Sequence, residues 1–237
     1  MLWFYLCACA LKTTGTPILQ ENTVVIEEAQ NPVTQLQVID LSVEFGPTAA
    51  GWLYVLEEHT VPPQMVLEIP ESSGWFVISD GLSSTFPANG FSEENSKVTN
   101  MSSTDQHVLI ASVQQRDGLG IPSLPEQGTD LEELKTEGLT MLSTWQHPLI
   151  GDFPFQKYLR FRHVEISEGG RVGVHTHNQR PSLAVVLQGD LIEHRGDGDE
   201  TRTAVVSVAE RNGLTHWWEN TGGQALIVVF DLVDPPE

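Results

Sequence analysis

The chain offers almost no thiol chemistry. Both of its cysteines, Cys7 and Cys9, lie in the opening run MLWFYLCACA, and no cysteine follows them. A disulfide framework and a cysteine-based metal site are therefore excluded for the body of the protein.

Positive charge is also scarce. Lys and Arg together number 12 against 32 Asp and Glu, which gives a formal net charge of −20. Binding to nucleic acid or to an anionic membrane surface needs clustered cations, so neither is expected. The charge is unevenly distributed, at −15 over residues 1–144 and −5 over residues 145–237, and this shift favours a domain boundary between 120 and 145.

No hydrophobic run is long enough to span a bilayer, which takes about 20 residues. The opening run is instead similar to the apolar core of an export signal, with a small-residue cleavage site at Ala8-Cys9-Ala10. Residues 6–9 are also similar to a bacterial lipobox, which would lipidate Cys9, although no Lys or Arg precedes the run. An extracytoplasmic location, periplasmic or lipid-anchored, is favoured, and a cytoplasmic one stays open.

Convincing amphipathic helices are missing as well, and short strand-like runs dominate. We predict four segments: an export signal and tether over 1–20, a β-rich domain over 21–116, a linker with a short helix over 117–144, and a β-barrel domain over 145–237. The helix is predicted because leucines recur near helical spacing between Asp130 and Leu142. Residues 80–105, rich in Ser, Asn, Gly and Glu, predict a long exposed loop.

The last ninety or so residues are the densest in strand signals. The six predicted strands are 158–166, 172–177, 183–187, 191–195, 203–209 and 225–232, separated by Gly-rich turns. So many short strands without a helix predict a sandwich or barrel. The fold class is therefore all-β.

Three histidines in this half are the candidate metal ligands. His175 and His177 are two residues apart in a strand-like run, so both imidazoles point to one face. His216, in ERNGLTHWWEN, offers a third nitrogen. Three imidazoles converging inside a barrel would hold a divalent transition metal with positions left open.

The second half resembles the cupin superfamily, whose fold is a small double-stranded β-helix barrel. Gly169, His175, His177 and Gly189 match its first motif in register, and Gly213, His216 and Asn220 match its second. The resemblance places His175, His177 and His216 at the cupin metal-ligand positions, for Fe, Mn, Ni, Cu or Zn. The usual glutamate ligand falls on Ser182, or on Pro181 at the shorter spacing, so a charge-neutral set of three histidines is expected.

Several nearby polar residues have open roles. Arg180 could pair with a substrate carboxylate or form a surface salt bridge. Glu193 could face inward, as a replacement carboxylate or general base, or outward, as a cross-strand charge, and we favour the outward orientation. Gln179 is either a weak oxygen donor or a loop residue. Glu210 is either a hydrogen-bond acceptor for a ligand histidine or a turn residue.

The resemblance implies a metal-binding cupin that acts on, or binds, a small polar or carboxylated molecule, with open metal positions for substrate and O2. Glu193 and Arg180 are its candidate catalytic residues. The alternative is a non-catalytic extracytoplasmic module that binds a small molecule, and metal-free isomerase chemistry is a third possibility. The expected partner is this small molecule, with a homodimer open.

Overall fold

The computed structural model describes residues 33–78, 89–92, 96–116, 134–196, 198–202 and 206–236. The predicted export signal over 1–20 and most of the predicted linker lie outside these residues. Among the described residues no helix is long and apolar enough to cross a membrane. All of the described residues belong to one compact unit.

The first half forms an antiparallel sheet of five strands. In spatial order they are β1 (Val33–Asp40), β2 (Trp52–Val61), β7 (Gln106–Gln115), β4 (Ser73–Ile78) and β5 (Asn89–Ser92). A short helix, α1 (Leu41–Phe45), follows β1 because the Asp40 side chain accepts a hydrogen bond from the Ser42 backbone N–H. The strand β1 therefore ends at Asp40.

The prediction of a long exposed loop over 80–105 is wrong for its described part. Besides β5, this part contains β6 (Ser96–Thr99), which pairs with β3 (Val66–Ile69). The Asn100 side chain, itself buried, donates to the carbonyl oxygens of Val61 and Thr104. Polar residues thus form structure here because their own hydrogen bonds satisfy the buried backbone.

The second half forms an eight-stranded antiparallel sheet that curls into a nearly closed barrel. Its strands are β8 (Glu137–Pro148), β9 (Tyr158–Thr176), β10 (Ser182–Gln188), β11 (Leu191–Arg195), β12 (Gly198–Arg202), β13 (Val206–Glu210), β14 (Thr215–Asn220) and β15 (Ala225–Val233). Seven of them follow the order β12-β11-β14-β9-β15-β10-β13, and β8 pairs with β9. The all-β prediction is confirmed.

The predicted helix within Asp130–Leu142 is wrong over its described part, where β8 begins at Glu137. The first half of β9 would otherwise have an open edge, and β8 satisfies its backbone groups from Leu139 to Pro148. Backbone pairing outweighs the helical spacing of the leucines, of which Leu139 packs against the apolar barrel interior. Because β8 continues past residue 144, one strand crosses the predicted domain boundary, and the division itself stays a prediction.

Alternation along β9 and β15 serves two hydrophobic cores. Leu159 and Phe161 of β9 point out of the barrel and pack with Tyr54 and Phe76 of the first sheet. Val164 and Ile166 point inward, into an apolar cluster that includes Trp218. The first half thus covers one outer face of the barrel, because side chains of successive strand residues leave on opposite sides.

Gly74 tests this packing. A Cβ at this position would lie 2.7 Å from Trp145 Cη2 and 3.1 Å from Leu159 Cδ2, between the two sheets. We expect Gly74→Ala to lower the free energy of unfolding by about 1–3 kcal/mol, since a packed interface cannot admit an extra methyl group without strain. Urea denaturation measures this loss. Gly223→Ala is the matched control, because nothing lies within 4 Å of its Cβ position, and equal stability losses would contradict the packing.

Glu44 of α1 gives a pH-dependent test. Its carboxylate accepts a hydrogen bond from the Asn212 backbone N–H, while its Oε2 is buried without a partner. Burial raises its pKa to about 7. The folded state therefore binds the proton more tightly than the unfolded chain, and this contribution to stability is lost as the pH rises from about 4.5 to about 7.

We expect Glu44→Gln to keep the hydrogen bond and remove the pH dependence. Relative to the parent, its stability should rise by on the order of 3 kcal/mol between pH 4.5 and pH 8. Unfolding free energies of both proteins across this pH range provide the measurement. A difference that does not change with pH would show that Glu44 is already ionised in the fold.

Candidate metal centre

The register of β9 and β14 brings two of the three candidate histidines, His175 and His216, together. His175 and His216 are directly opposite one another in this pair. His177 follows the end of β9, where its backbone N–H donates to Leu214 O and its carbonyl accepts from Gly213 N–H. Gly213 has φ +81°, a conformation that favours glycine, so the motif glycine shapes the turn that holds the two motifs together.

The three ring nitrogens Nε2 converge on one point. His216 Nε2 lies 3.1 Å from His177 Nε2 and 3.1 Å from His175 Nε2. His177 and His216 are fully buried, and His175 is partly buried. The predicted pairing of His175 and His177 on one face, with His216 beside them, is what the structure shows.

Glu210 adds a carboxylate to this group. Its Oε2 lies 3.5 Å from His177 Nε2 and its Oε1 lies 3.4 Å from His216 Nε2. In the pairing of β13 with β10, Glu210 is directly opposite Ser182, the position where the cupin motif has its glutamate. The neighbouring strand thus supplies the carboxylate that the motif lacks, and the four side chains form one group of possible metal ligands.

The outer ring nitrogens determine the form of the histidines. Nδ1 of His175 lies 2.9 Å from Gly173 O, Nδ1 of His177 lies 3.0 Å from Arg180 O, and Nδ1 of His216 lies 2.7 Å from Glu193 Oε1. Carbonyl and carboxylate oxygens only accept, so each Nδ1 carries the proton. In the neutral rings each Nε2 then presents a lone pair to the common point.

Burial and charge favour ligand forms of these groups. Burial, with the neighbouring His216 and His177, lowers the pKa of His175 to about 4, and burial also lowers the pKa of His177. For Glu210, burial would raise the pKa, but His177 and His216 outweigh it and lower the pKa to about 2. At neutral pH these shifts favour an unprotonated Nε2 on His175 and His177 and an ionised carboxylate on Glu210.

This donor set fits a divalent transition metal. Lone pairs 3.1 Å apart, with a carboxylate beside them, repel one another unless a cation lies between them. Nitrogens that bind one ion at about 2.1 Å are about 3.0–3.4 Å apart, which matches these separations. The orientation of each ring by a hydrogen bond on its far side is the usual arrangement around a bound metal.

Glu193 faces inward, so the outward orientation favoured from the sequence is wrong. Its side chain is fully buried and accepts hydrogen bonds from Arg195, Arg202 and His216. Burial would raise its pKa, but the hydrogen bonds from His216 and Arg195 lower it to about 2. Two guanidinium groups offset the cost of burying the charge, which a cross-strand pair at the surface would not need. Glu193 contacts Nδ1 of His216, on the side of the ring away from the convergence point.

The remaining motif residues have mainly structural contacts. Asn220 donates to Ile166 O, Ser167 O and Gly223 O, which closes the turn after β14. Gln179 is an exposed loop residue, which was the second of the two roles considered for it from the sequence. Trp218 is buried inside the barrel and Trp217 stacks on His194 outside it.

Sequence reasoning missed Glu210 as a possible ligand and gave Arg160, Arg162 and Asp231 no role. The signal for Glu210 was its place in the alternation Val206, Val208, Glu210, which continues the inward face of β13. The structure adds Asp231, fully buried on β15 and bound by Arg160 and Arg162.

Glu193→Gln tests the support of His216. The amide presents N–H groups to guanidinium donors and weakens the acceptor for His216 Nδ1, so we expect metal affinity to fall about 10–100-fold. Competition with a chromophoric chelator measures the affinity. Glu219→Gln is the control, since Glu219 pairs with His194 on the outer face. Equal affinities in all three proteins would contradict a positioning role for Glu193.

Comparisons of this chain with known proteins find only distant similarities to solved structures. No protein-family model matches the chain, and no curated protein matches it. A sugar phosphate isomerase of the cupin superfamily from Silicibacter pomeroyi is 16% identical, with 32% of this chain and 52% of that chain covered at a TM-score of 0.31. This chain therefore spans about half of that protein's length.

Two other solved structures give similar figures. A predicted oxalate decarboxylase from Thermotoga maritima is 18% identical, covering 37% of this chain and 93% of its own at a TM-score of 0.30. A cupin domain from Bordetella pertussis is 19% identical, covering 42% and 97% at a TM-score of 0.29. These likenesses say nothing about substrate or reaction. The nearly closed antiparallel barrel, with both histidine motifs on its inner wall, fits the barrel that the resemblance to the cupin superfamily predicts.

Proposed function

We propose that the barrel binds one divalent transition metal through His175, His177, His216 and Glu210, and acts with it on a small carboxylated molecule. The observation that carries this proposal is the convergence of three Nε2 atoms beside the Glu210 carboxylate, with the Nδ1 of each ring directed to an acceptor. Fe, Mn, Ni, Cu and Zn all accept this set of imidazole and carboxylate ligands. When bound, such an ion supplies a Lewis acid with open positions for an oxygen ligand and, for Fe, Mn or Cu, a redox centre for O2 chemistry.

The chain's own residues prepare the site for such a ligand. The apolar cluster around Trp218 fills the barrel interior on one side of the metal centre and keeps water away from that side. Glu193 holds the His216 ring in one orientation and keeps its proton on Nδ1. With the far side of each ring held in this way, little reorganisation is needed when metal and substrate bind.

Arg180 supports the carboxylated class of substrate. Its guanidinium is half-buried, and its backbone carbonyl accepts the hydrogen bond from His177 Nδ1, so the residue is fixed beside the centre. A planar guanidinium binds a carboxylate with two parallel hydrogen bonds. We propose substrate binding for Arg180, while Glu193 has the positioning role described above instead of that of a general base.

Metal content tests the proposal. After purification from metal-replete medium, we expect about one equivalent of metal in the parent and a loss of at least about tenfold in His216→Ala. His194→Ala, which removes a histidine outside the barrel, should match the parent. Elemental analysis gives the stoichiometry, and an oxygen electrode with a panel of small carboxylates tests turnover.

Two outcomes would revise the function. Without stoichiometric metal in the parent, the proposal fails. A full complement of metal without turnover, together with a rise in melting temperature on adding a carboxylate, would instead support the non-catalytic binding module.

A further inference from the structure

A second group of arginines lies inside this acidic protein, apart from the pair that binds Glu193. The chain has a net charge of −20 and only twelve Lys and Arg. Arg160 and Arg162 bind the carboxylate of Asp231, and both Asp231 and Glu210 act on the charge of Arg180. The three guanidinium groups thus outnumber these two carboxylates, and partly buried charges of this kind favour an anionic ligand.

The Asp231 carboxylate orients two of the arginines. It is fully buried, and Arg160 contacts it through both Nε and Nη2, while Arg162 Nη2 lies 3.1 Å from Oδ2. The Nε of Arg162 is buried and has no hydrogen-bond partner among the described residues. Asp231 therefore orients the guanidinium groups of Arg160 and Arg162 but leaves the N–H of Arg162 Nε without an acceptor among the described residues.

Arg180 is the third arginine and the least engaged. Within the described part of the chain its guanidinium makes no hydrogen bond and no ion pair. Burial lowers the pKa of Arg180, and so do the positive charges of Arg162 and Arg160. The carboxylates of Asp231 and Glu210 act in the opposite direction and raise it. The Arg180 carbonyl contacts His177 Nδ1, and the backbone of the preceding residue is also held: Lys157 Nζ donates to Gln179 O, and Asn212 Oδ1 accepts from Gln179 N–H.

Strand register places this cluster next to the metal centre. Ser182 of β10 is opposite Glu210 on one side and opposite Asp231 on the other. Arg160 is in turn opposite Asp231. Glu210 and Asp231 thus point to the same inner space from strands two steps apart, or about 10 Å between their Cα atoms.

We propose that Arg162 and Arg180, supported by Arg160 and Asp231, form an anion subsite that binds the distal carboxylate of a small dicarboxylate while its other end reaches the His175, His177, His216 and Glu210 centre. The inference rests on the proposed function and names its substrate class. An unmatched guanidinium beside the metal centre favours a substrate with a second carboxylate over a monocarboxylate. Two separate binding points favour a dicarboxylate with carbons between its carboxylates, such as succinate or glutarate, over oxalate, whose carboxylates are directly bonded.

The test compares the metal-loaded parent chain with three variants in one assay. Titration calorimetry measures the affinity for succinate, glutarate, oxalate, acetate and inorganic phosphate in the parent, Arg180→Gln, Arg180→Lys and Arg116→Gln. Arg116 is the matched control, because it lies at the end of β7 in the first sheet and pairs with Glu57. Elemental analysis accompanies each titration.

We expect the parent to bind succinate or glutarate at least about tenfold more tightly than acetate. Arg180→Gln should remove this preference at unchanged metal content, since its side chain makes no bond that the fold needs. Arg180→Lys should keep part of it, because it retains the charge and loses the planar fork. Arg116→Gln should match the parent.

Each contrary result has a separate meaning. Equal succinate affinity in the parent and Arg180→Gln, with metal fully bound in both, overturns the subsite and leaves the metal proposal standing. Tighter binding of phosphate than of any dicarboxylate overturns the dicarboxylate assignment. An Arg180-dependent preference for succinate in a chain that binds no metal supports the subsite and overturns the proposed function.

Discussion

The alternation of side chains along β9 and β15 is the constraint on which the rest of the structure depends. Each of these strands has one face toward the first sheet and one toward the barrel interior. The outward face carries Leu159, Phe161 and His163 of β9 against the first sheet, whereas the inward face changes from apolar residues at one end to Arg160, Arg162 and Asp231 at the other. One pair of strands therefore joins the two sheets and also sets the depth of the polar site.

The buried carboxylates Glu193 and Asp231 are each bound by several hydrogen-bond donors. Glu193 is held by two arginines and by His216, and Asp231 is held by two other arginines. Burying such charges is costly unless partners and hydrogen bonds accompany them, which explains why each carboxylate has more than one donor. The Nε2 atoms of the histidines converge beside the Glu210 carboxylate, and the Arg180 guanidinium forms no ion pair among the described residues. They are also the groups to which we assign metal and substrate.

Much of the barrel could be predicted from local patterns. Most strand runs after residue 157, the inward pair His175 and His177, and the opposite faces of Trp217 and Trp218 follow from a period of two residues. The runs 158–166 and 172–177 are nevertheless one strand, β9, and neither β12 nor β14 was predicted. The helix predicted around Leu139 failed because its periodicity rested on few residues, and the open edge of β9 offered a better set of backbone partners. The outward orientation predicted for Glu193 was wrong for a different reason. A glutamate near Arg195 on a strand is typical of a protein surface. Only tertiary contacts supply Arg202 and His216, whose hydrogen bonds make the burial of Glu193 favourable.

The sequence by itself determined the all-β class, the three histidines and the motif turns, because these depend on residues close together in the chain or on glycine conformations such as that of Gly213. It also showed that position 182 lacks the expected carboxylate. Only the tertiary structure decided that Glu210 stands opposite Ser182 and that Asp231 gathers Arg160 and Arg162 nearby. Pairing between β10 and its two neighbours joins residues 28 and 49 positions apart in the sequence, and no local pattern specifies that register.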